Sequence, residues 1–198
     1  RRTRLFKAFL TAQLLVLAQI GLGLAKLRGK VSQDRIDELQ LQLQGIPDLV
    51  QTVIDTQQVK VQKLAQKYHN ASCFYFLGRG ISTATAYEGR LKLLELAYIP
   101  SIAYPAGESK HGPISLIEPG FPVIFICPPD NTRKGLVGNI MEMKARGANI
   151  IAIVDAQDDE IKKLSDDYIE IPSGIHSLLS PIPYSLPLQL FAYYMALN

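Results

Sequence analysis

Short apolar runs that do not alternate with polar residues constrain this chain more than any other feature. Cys73 to Leu77, Pro122 to Cys127, Asn149 to Val154 and the weaker Tyr168 to Ile171 are such runs, and Ser101 to Tyr104 is a fainter one. Helical patterns separate most of them, over about 82–98, 132–146 and 158–164. A strand with one wet face alternates, whereas a strand apolar throughout is covered on both faces. Covered strands joined by helices form a parallel sheet, because parallel neighbours need a long crossover. The expected architecture is α/β: three α/β/α layers around five parallel strands near 73–77, 101–104, 122–127, 149–154 and 167–171. The 198 residues suffice for one such domain and its core. A last helix is expected over about 182–197, with Pro183 and Pro187 near its first turns, where proline costs least.

The first third reads as helix. Residues 3–27 are apolar on most faces, which implies a deeply buried helix. Its 18 uncharged residues between Lys7 and Lys26 reach only the lower limit for a bilayer span. They include Thr11, Gln13, Gln19, Gly21 and Gly23, so burial in a soluble domain is expected and a membrane partner is not. Ser32 is the expected N-cap of a helix through about Gln44, with Asp34 in its first turn. Gly45 and Pro47 break it; one amphipathic helix follows from Pro47 and another covers about 58–67. The chain thus divides into a helical segment, 1–70, and an α/β unit, 71–198. It begins inside a helical pattern and stops just after the apolar run Leu190 to Leu197, which reads as a piece of a longer protein.

The net charge of +3 comes from 21 basic and 18 acidic residues, and the excess sits at Arg1, Arg2, Arg4 and Lys7. No basic stripe with aromatic spacing follows, so nucleic acid is not an expected partner. Cys73 and Cys127 both lie in apolar runs, as buried, reduced thiols of a cytoplasmic domain do.

Three stretches carry groups suited to chemistry. In an open parallel sheet, ligands bind beyond the carboxyl ends of the strands. The first strand ends in Gly78-Arg79-Gly80-Ile81-Ser82-Thr83, where Arg79, Ser82 and a helix N-terminus could hold an anion. It is neither a Walker loop nor a complete dinucleotide fingerprint, and a plain turn remains open. On the following helix, offsets of four and seven place Glu88, Lys92 and Glu95 within about 60° of one another. Two carboxylates beside an ammonium suit proton transfer, since a lysine tunes a neighbouring carboxyl. The same spacing also fits a solvated ion-paired face, but Leu91, Leu93, Leu94, Leu96 and Ala97 leave that helix little room for water. Glu95 is therefore expected to be buried or half-buried near a cleft. The third stretch, Tyr104 to Pro113, follows the next candidate strand and places His111 beside Glu108 and Lys110. No His, Cys, Asp and Glu set has metal-ligand spacing, and there is no GxSxG turn; neither metal nor cofactor is expected.

Phe76-Leu77-Gly78-Arg79-Gly80, Tyr87-Glu88-Gly89-Arg90-Leu91-Lys92-Leu93-Leu94-Glu95 and Ala106-Gly107-Glu108-Ser109-Lys110-His111-Gly112-Pro113 together resemble the sugar isomerase (SIS) domains of the glutamine–fructose-6-phosphate aminotransferase family. Lys7-Ala8-Phe9 with Gln13-Leu14, and Pro187-Leu188-Gln189-Leu190-Phe191-Ala192-Tyr193, fit the same family. The resemblance implies a flavodoxin-like fold, with 71–198 as the second of two SIS domains and 1–70 linking from the first. It implies formation of glucosamine 6-phosphate from fructose 6-phosphate and glutamine-derived ammonia. Glu95 would move a proton between C1 and C2, and His111 would assist ring opening from the neighbouring subunit of a homodimer. Lys92 would stand near that chemistry with Glu88 as a neighbouring acid, while Arg79 and Ser82 would contact substrate. The family's serine-rich phosphate loop belongs to the first SIS domain. Its Schiff-base lysine lies in a tail that would follow Asn198. Pro100, Ser101 and Ile102 replace the His, Ala and Glu frequent in the family. A fragment with half a site is expected to be inactive alone. The alternatives are an SIS-type deaminase or deglycase, and a non-catalytic sugar-phosphate-binding regulator.

Overall fold

The computed structural model describes the backbone of residues 6–198 and the side chains of residues 10–198. The basic cluster at Arg1, Arg2, Arg4 and Lys7, the expected helix start at residue 3, and the Lys7-Ala8-Phe9 side chains lie outside that description. Three helices come first: α1 (Phe6–Arg28), α2 (Gln33–Gln44) and α3 (Ile46–Tyr68). Then follow β1 (Phe74–Gly78), α4 (Ser82–Ala97), β2 (Ser101–Pro105), two short 3₁₀ turns (Ala106–His111 and Pro113–Leu116), β3 (Pro122–Cys127), α5 (Arg133–Ala145), β4 (Asn149–Asp155), α6 (Asp159–Leu164), β5 (Asp167–Ile171) and α7 (Pro181–Met195). The five strands form one sheet in the order β2-β1-β3-β4-β5, with every pairing parallel. This is the flavodoxin-like order, in which the chain reverses direction across the sheet between β1 and β3.

Period-two geometry divides each strand between two cores. Phe74, Phe76, Ile124, Ile126, Ile151, Ile153, Ile169 and Ile171 pack under α3, α4 and α7. Tyr75, Leu77, Val123, Phe125, Cys127, Ile150, Ala152 and Val154 face Leu136, Ile140 and Met143 of α5 and Ile161 of α6. Both faces are buried, which is why the strand sequences do not alternate. Ser32 caps α2 as expected, its side chain accepting from Arg35 N–H.

Three expectations need correction. The two helices expected after Pro47 are one continuous helix, α3; no Gly or Pro interrupts Leu49 to Tyr68, and Val53, Gln57, Val61, Leu64 and Ala65 keep one buried stripe. Cys73 stands one residue before β1 and is only half-buried, whereas Cys127 is buried; both are unpaired. Helix α1 is not deeply buried. Leu14, Leu15, Ala18 and Leu22 pack against Leu39, Leu43, Ile46, Leu179 and Ile182, but Val16, Leu17, Ile20, Leu24 and Leu27 are exposed. By length and composition alone this is a helix able to cross a bilayer; within the described residues only one of its sides is covered.

Gly78 permits the tight passage from β1 into α4. A Cβ there would lie 2.5 Å from the Ser82 carbonyl carbon and oxygen, both backbone atoms. Gly138, in α5, has nothing within 4 Å of the same position. Gly78→Ala is expected to destabilise by about 3 kcal/mol or more, and Gly138→Ala to stabilise by about 0.5–1 kcal/mol through helix propensity; urea denaturation of the two variants checks both signs. Burial also raises both thiol pKa values, that of Cys127 far more strongly. A thiol reagent on the native protein should modify Cys73 slowly and spare Cys127 until unfolding, as peptide mapping would read.

Candidate functional site

Helix α4 runs from the carboxyl end of β1 back to the amino end of β2, which is level with the amino end of β1 through the pairing Phe74↔Ser101. Ser82 and Glu95 are consequently about 20 Å apart along one rod. Ser82 stands at the carboxyl edge of the sheet and Glu95 near the amino edge. His111 ends a 3₁₀ turn that runs back along α5: Gly107 lies beside Arg79 near Gly135, Lys110 reaches Glu142 near the far end of α5, and Ala106 packs on the α5 face of the sheet, opposite α4. The structure brings Glu88, Lys92 and Glu95 together on α4, with Ser82 at that helix's other end and the His111 segment on the opposite face of the sheet.

The triad has a buried cation at its centre. Lys92 Nζ donates to Glu95 Oε2 at 2.8 Å and lies 3.4 Å from Glu88 Oε1. The Lys92 side chain is 6% exposed, that of Glu88 14% and that of Glu95 37%. The burial expected of Glu95 thus falls on Lys92. Glu95 sits in the last turn of α4, where the ring of leucines expected to cover it is itself partly bare: Leu91 is exposed, as are Tyr87 and Tyr98. Glu95 opens to solvent within an apolar rim, because these three side chains lie within about 80° of it around the helix. Tyr98 closes α4 in the left-handed conformation, φ 58°, the sole non-glycine with positive φ among the described residues. Burial alone would lower the Lys92 pKa, but the hydrogen bond it donates to Glu95 and the charges of Glu88 and Glu95 outweigh it and hold the ammonium above its usual value.

The loop after β1 uses its donors on itself. Ser82, Thr83 and Ala84 N–H donate to the carbonyls of Arg79, Gly80 and Ile81, and the Ser82 hydroxyl is buried without a hydrogen-bond partner. Arg79 turns towards α5, where its Nη1 donates to Asn139 Oδ1 at 2.9 Å. It fits there because Gly107 and Gly135 carry no side chain; a Cβ on either would lie 3.2 or 3.0 Å from the guanidinium. Asn139 was not apparent as a functional candidate in the sequence. Its signal is a polar residue on the buried stripe Leu136, Asn139, Ile140, Met143 of α5. His111 is 75% exposed, with Glu108 3.9 Å away. Among the described residues no group of His, Cys, Asp and Glu could hold a metal ion.

A family model described as "SIS domain" matches residues 67–198. The chain belongs to the SIS domain family. Over nearly its whole length this SIS chain is also similar to glutamine–fructose-6-phosphate aminotransferases [isomerizing]. It is 41% identical to that of Thermus thermophilus over 186 residues, 94% of this chain and 30% of the relative. The Pyrobaculum aerophilum enzyme is 43% identical over 188 residues, 95% of this chain and 30% of the relative. A solved structure of the C-terminal domain of glucosamine-fructose-6-phosphate aminotransferase from Francisella tularensis superposes with a TM-score of 0.87 at 32% identity, covering 94% of this chain and 52% of that one. The chain spans about 30% of the length of the curated relatives it matches.

Removing Lys92 from the SIS triad leaves Glu88 half-enclosed beside a second carboxylate. Lys92→Met should lower stability at neutral pH by about 1–3 kcal/mol, less than a fully buried pair because Glu95 keeps water. The folded-state pKa of Lys92 is raised, so its contribution is complete below the unfolded pKa and is lost as pH rises through the folded value. The wild-type advantage in urea midpoint should therefore be flat up to about pH 10 and shrink only above it.

Proposed function

We propose that this chain is the isomerase part of a longer cytoplasmic enzyme that makes glucosamine 6-phosphate from fructose 6-phosphate and glutamine-derived ammonia. The observation that carries the reading is the triad: a buried ammonium holds a solvent-accessible carboxylate in an apolar rim, on a chain similar throughout to aminotransferases of that name. Aldose–ketose conversion moves one proton between adjacent carbons, which a single carboxylate can reach from one side. Glu95 takes the proton from C1 or C2 and returns it to the other carbon. Lys92 fixes the Glu95 carboxylate through its hydrogen bond, and Glu88 balances the lysine's charge, so that Lys92 stays protonated throughout.

His111 supplies ring opening, and here the topology bears on assembly. α4 with Glu95 and the turn with His111 pack on opposite faces of the same sheet, which supports a shared sugar that takes one group from each of two chains. A homodimer follows from this reading. Arg79 is held against α5 through Asn139, and on this reading it acts in positioning and not as a direct substrate ligand, while the buried, unpartnered Ser82 hydroxyl stays at the head of α4. The deaminase or deglycase alternative shares the proton transfer, but the similarity at 41% identity is to aminotransferases.

Subunit mixing tests the assignment. Full-length Glu95→Gln and His111→Ala homodimers should each retain under about 1% of wild-type turnover of fructose 6-phosphate, the loss of one acid–base group costing on the order of 10²-fold or more. Mixed dimers should regain about a quarter to a half of wild-type turnover, from the one intact site per dimer. No recovery in dimers confirmed as mixed would place both groups in one chain's site and sink the reading.

A further inference from the structure

The turn 106–112 that carries His111 has little apolar anchorage of its own beyond Ala106. Of Ala106 to Gly112, Ala106 and Ser109 are buried, the latter with its hydroxyl donating to Ala106 O at 2.8 Å, while Glu108, Lys110, His111 and Gly112 are exposed. Gly112 has φ 134° and nothing within 4 Å of a would-be Cβ. The backbone just past His111 is thus in a conformation open to glycine alone, with the Gly112 carbonyl accepting from the Ser115 N–H and hydroxyl and the Pro113 carbonyl from the Tyr75 hydroxyl. Those contacts hold the backbone after His111; on the side before it, the side-chain hold is at Lys110.

Lys110 is tied there by a polar chain. Its Nζ lies 2.8 Å from Glu142 Oε1. The other carboxylate oxygen, Glu142 Oε2, accepts from Asn139 Nδ2 at 3.3 Å. Asn139 Oδ1 accepts from Arg79 Nη1 at 2.9 Å. Glu142 and Asn139 each bridge two partners, and Asn139 is only 6% exposed. Its amide can point only one way, with oxygen towards the guanidinium and nitrogen towards the carboxylate. An exposed lysine–carboxylate pair by itself fixes little. This one is the outer end of a chain whose inner end is the slot between Gly107 and Gly135. The Lys110 hydrogen bond holds Glu142 below the ordinary carboxylate range, so the link stays ionised near neutral pH.

We infer that Arg79, Asn139, Glu142 and Lys110 form a positioning relay that sets the place of His111 from the loop at the head of α4. The inference rests on the isomerase reading for its activity arm. The relay registers the 106–111 turn against α5 and against the β1–α4 loop together. None of its members needs to touch the sugar.

The test uses the full-length protein with Lys110→Met, Glu142→Gln and Lys110→Arg, read by turnover of fructose 6-phosphate and by amide hydrogen exchange of residues 106–112. Lys110→Met and Glu142→Gln should lower kcat roughly tenfold or more, as misplacement of a positioned group does, with KM changed less than about threefold. Exchange across 106–112 should quicken in both, and Lys110→Arg should restore both readouts. Unchanged kcat in the two neutral variants overturns the inference. So does a loss that Lys110→Arg fails to rescue, or one that raises KM in step, since either marks a general structural role. Should the wild-type protein not turn over fructose 6-phosphate, the isomerase reading fails, and hydrogen exchange alone then decides the relay: unaltered exchange in Glu142→Gln rejects it.

Discussion

Helix α4 can lie where it does because two of its contacts lack side chains. Gly78 lets the chain fold back on itself at backbone distance from Ser82, and Gly89 brings the helix against Phe76 of β1 on one side and Leu188 of α7 on the other. A Cβ on Gly89 would meet Leu188 at 2.8 Å and Phe76 at 2.9 Å. The helix is thus wedged between sheet and α7 at its middle. Glu88 and Lys92 flank that contact, and Glu95 leaves its shelter one turn later. The burial gradient from Lys92 to Glu95, on which the proton-transfer reading depends, is a direct consequence of where the wedge ends.

Much of this fold was legible in the sequence because the sheet is covered on both faces. Unbroken runs such as Val123-Ile124-Phe125-Ile126 have one stable use at that length, and the intervening helices fix the parallel direction. Boundaries were less legible where the signal was indirect. Pro47 suggested a helix start, and it does sit in the first turn of α3, but nothing in the side chains near 57 stops that helix, so a second start had no physical basis. The weak point was α1. Apolar residues on most faces imply cover, yet cover can come from outside any given stretch of chain, and sequence does not say from where.

The candidate site was legible as a cluster but not in its placement. The spacing of Glu88, Lys92 and Glu95 correctly put them on one face. Which of the three is buried depends on α7 packing across α4, a contact between residues about a hundred positions apart, as Gly89 and Leu188 are. The rule that ligands gather at carboxyl ends of parallel strands favoured Arg79 and Ser82. In the structure the first N–H groups of α4 are satisfied within the loop and Arg79 donates to Asn139, contacts that the rule does not foresee. A guanidinium finds its partner through space left by Gly107 and Gly135, and no local pattern announces that three separate segments leave it.

The two groups of site residues are held by different forces, and this makes them answer differently to the solvent. The triad stands on a helix clamped by Phe76 and Leu188, contacts that salt does not weaken and that fade gradually on cooling. The turn bearing His111 is moored through the Lys110–Glu142 pair at the surface, where a raised ionic strength screens the attraction within a few ångströms. Salt and temperature therefore act as separate handles. One loosens the turn while leaving the helix in register, and the other slackens the helix while leaving the mooring intact.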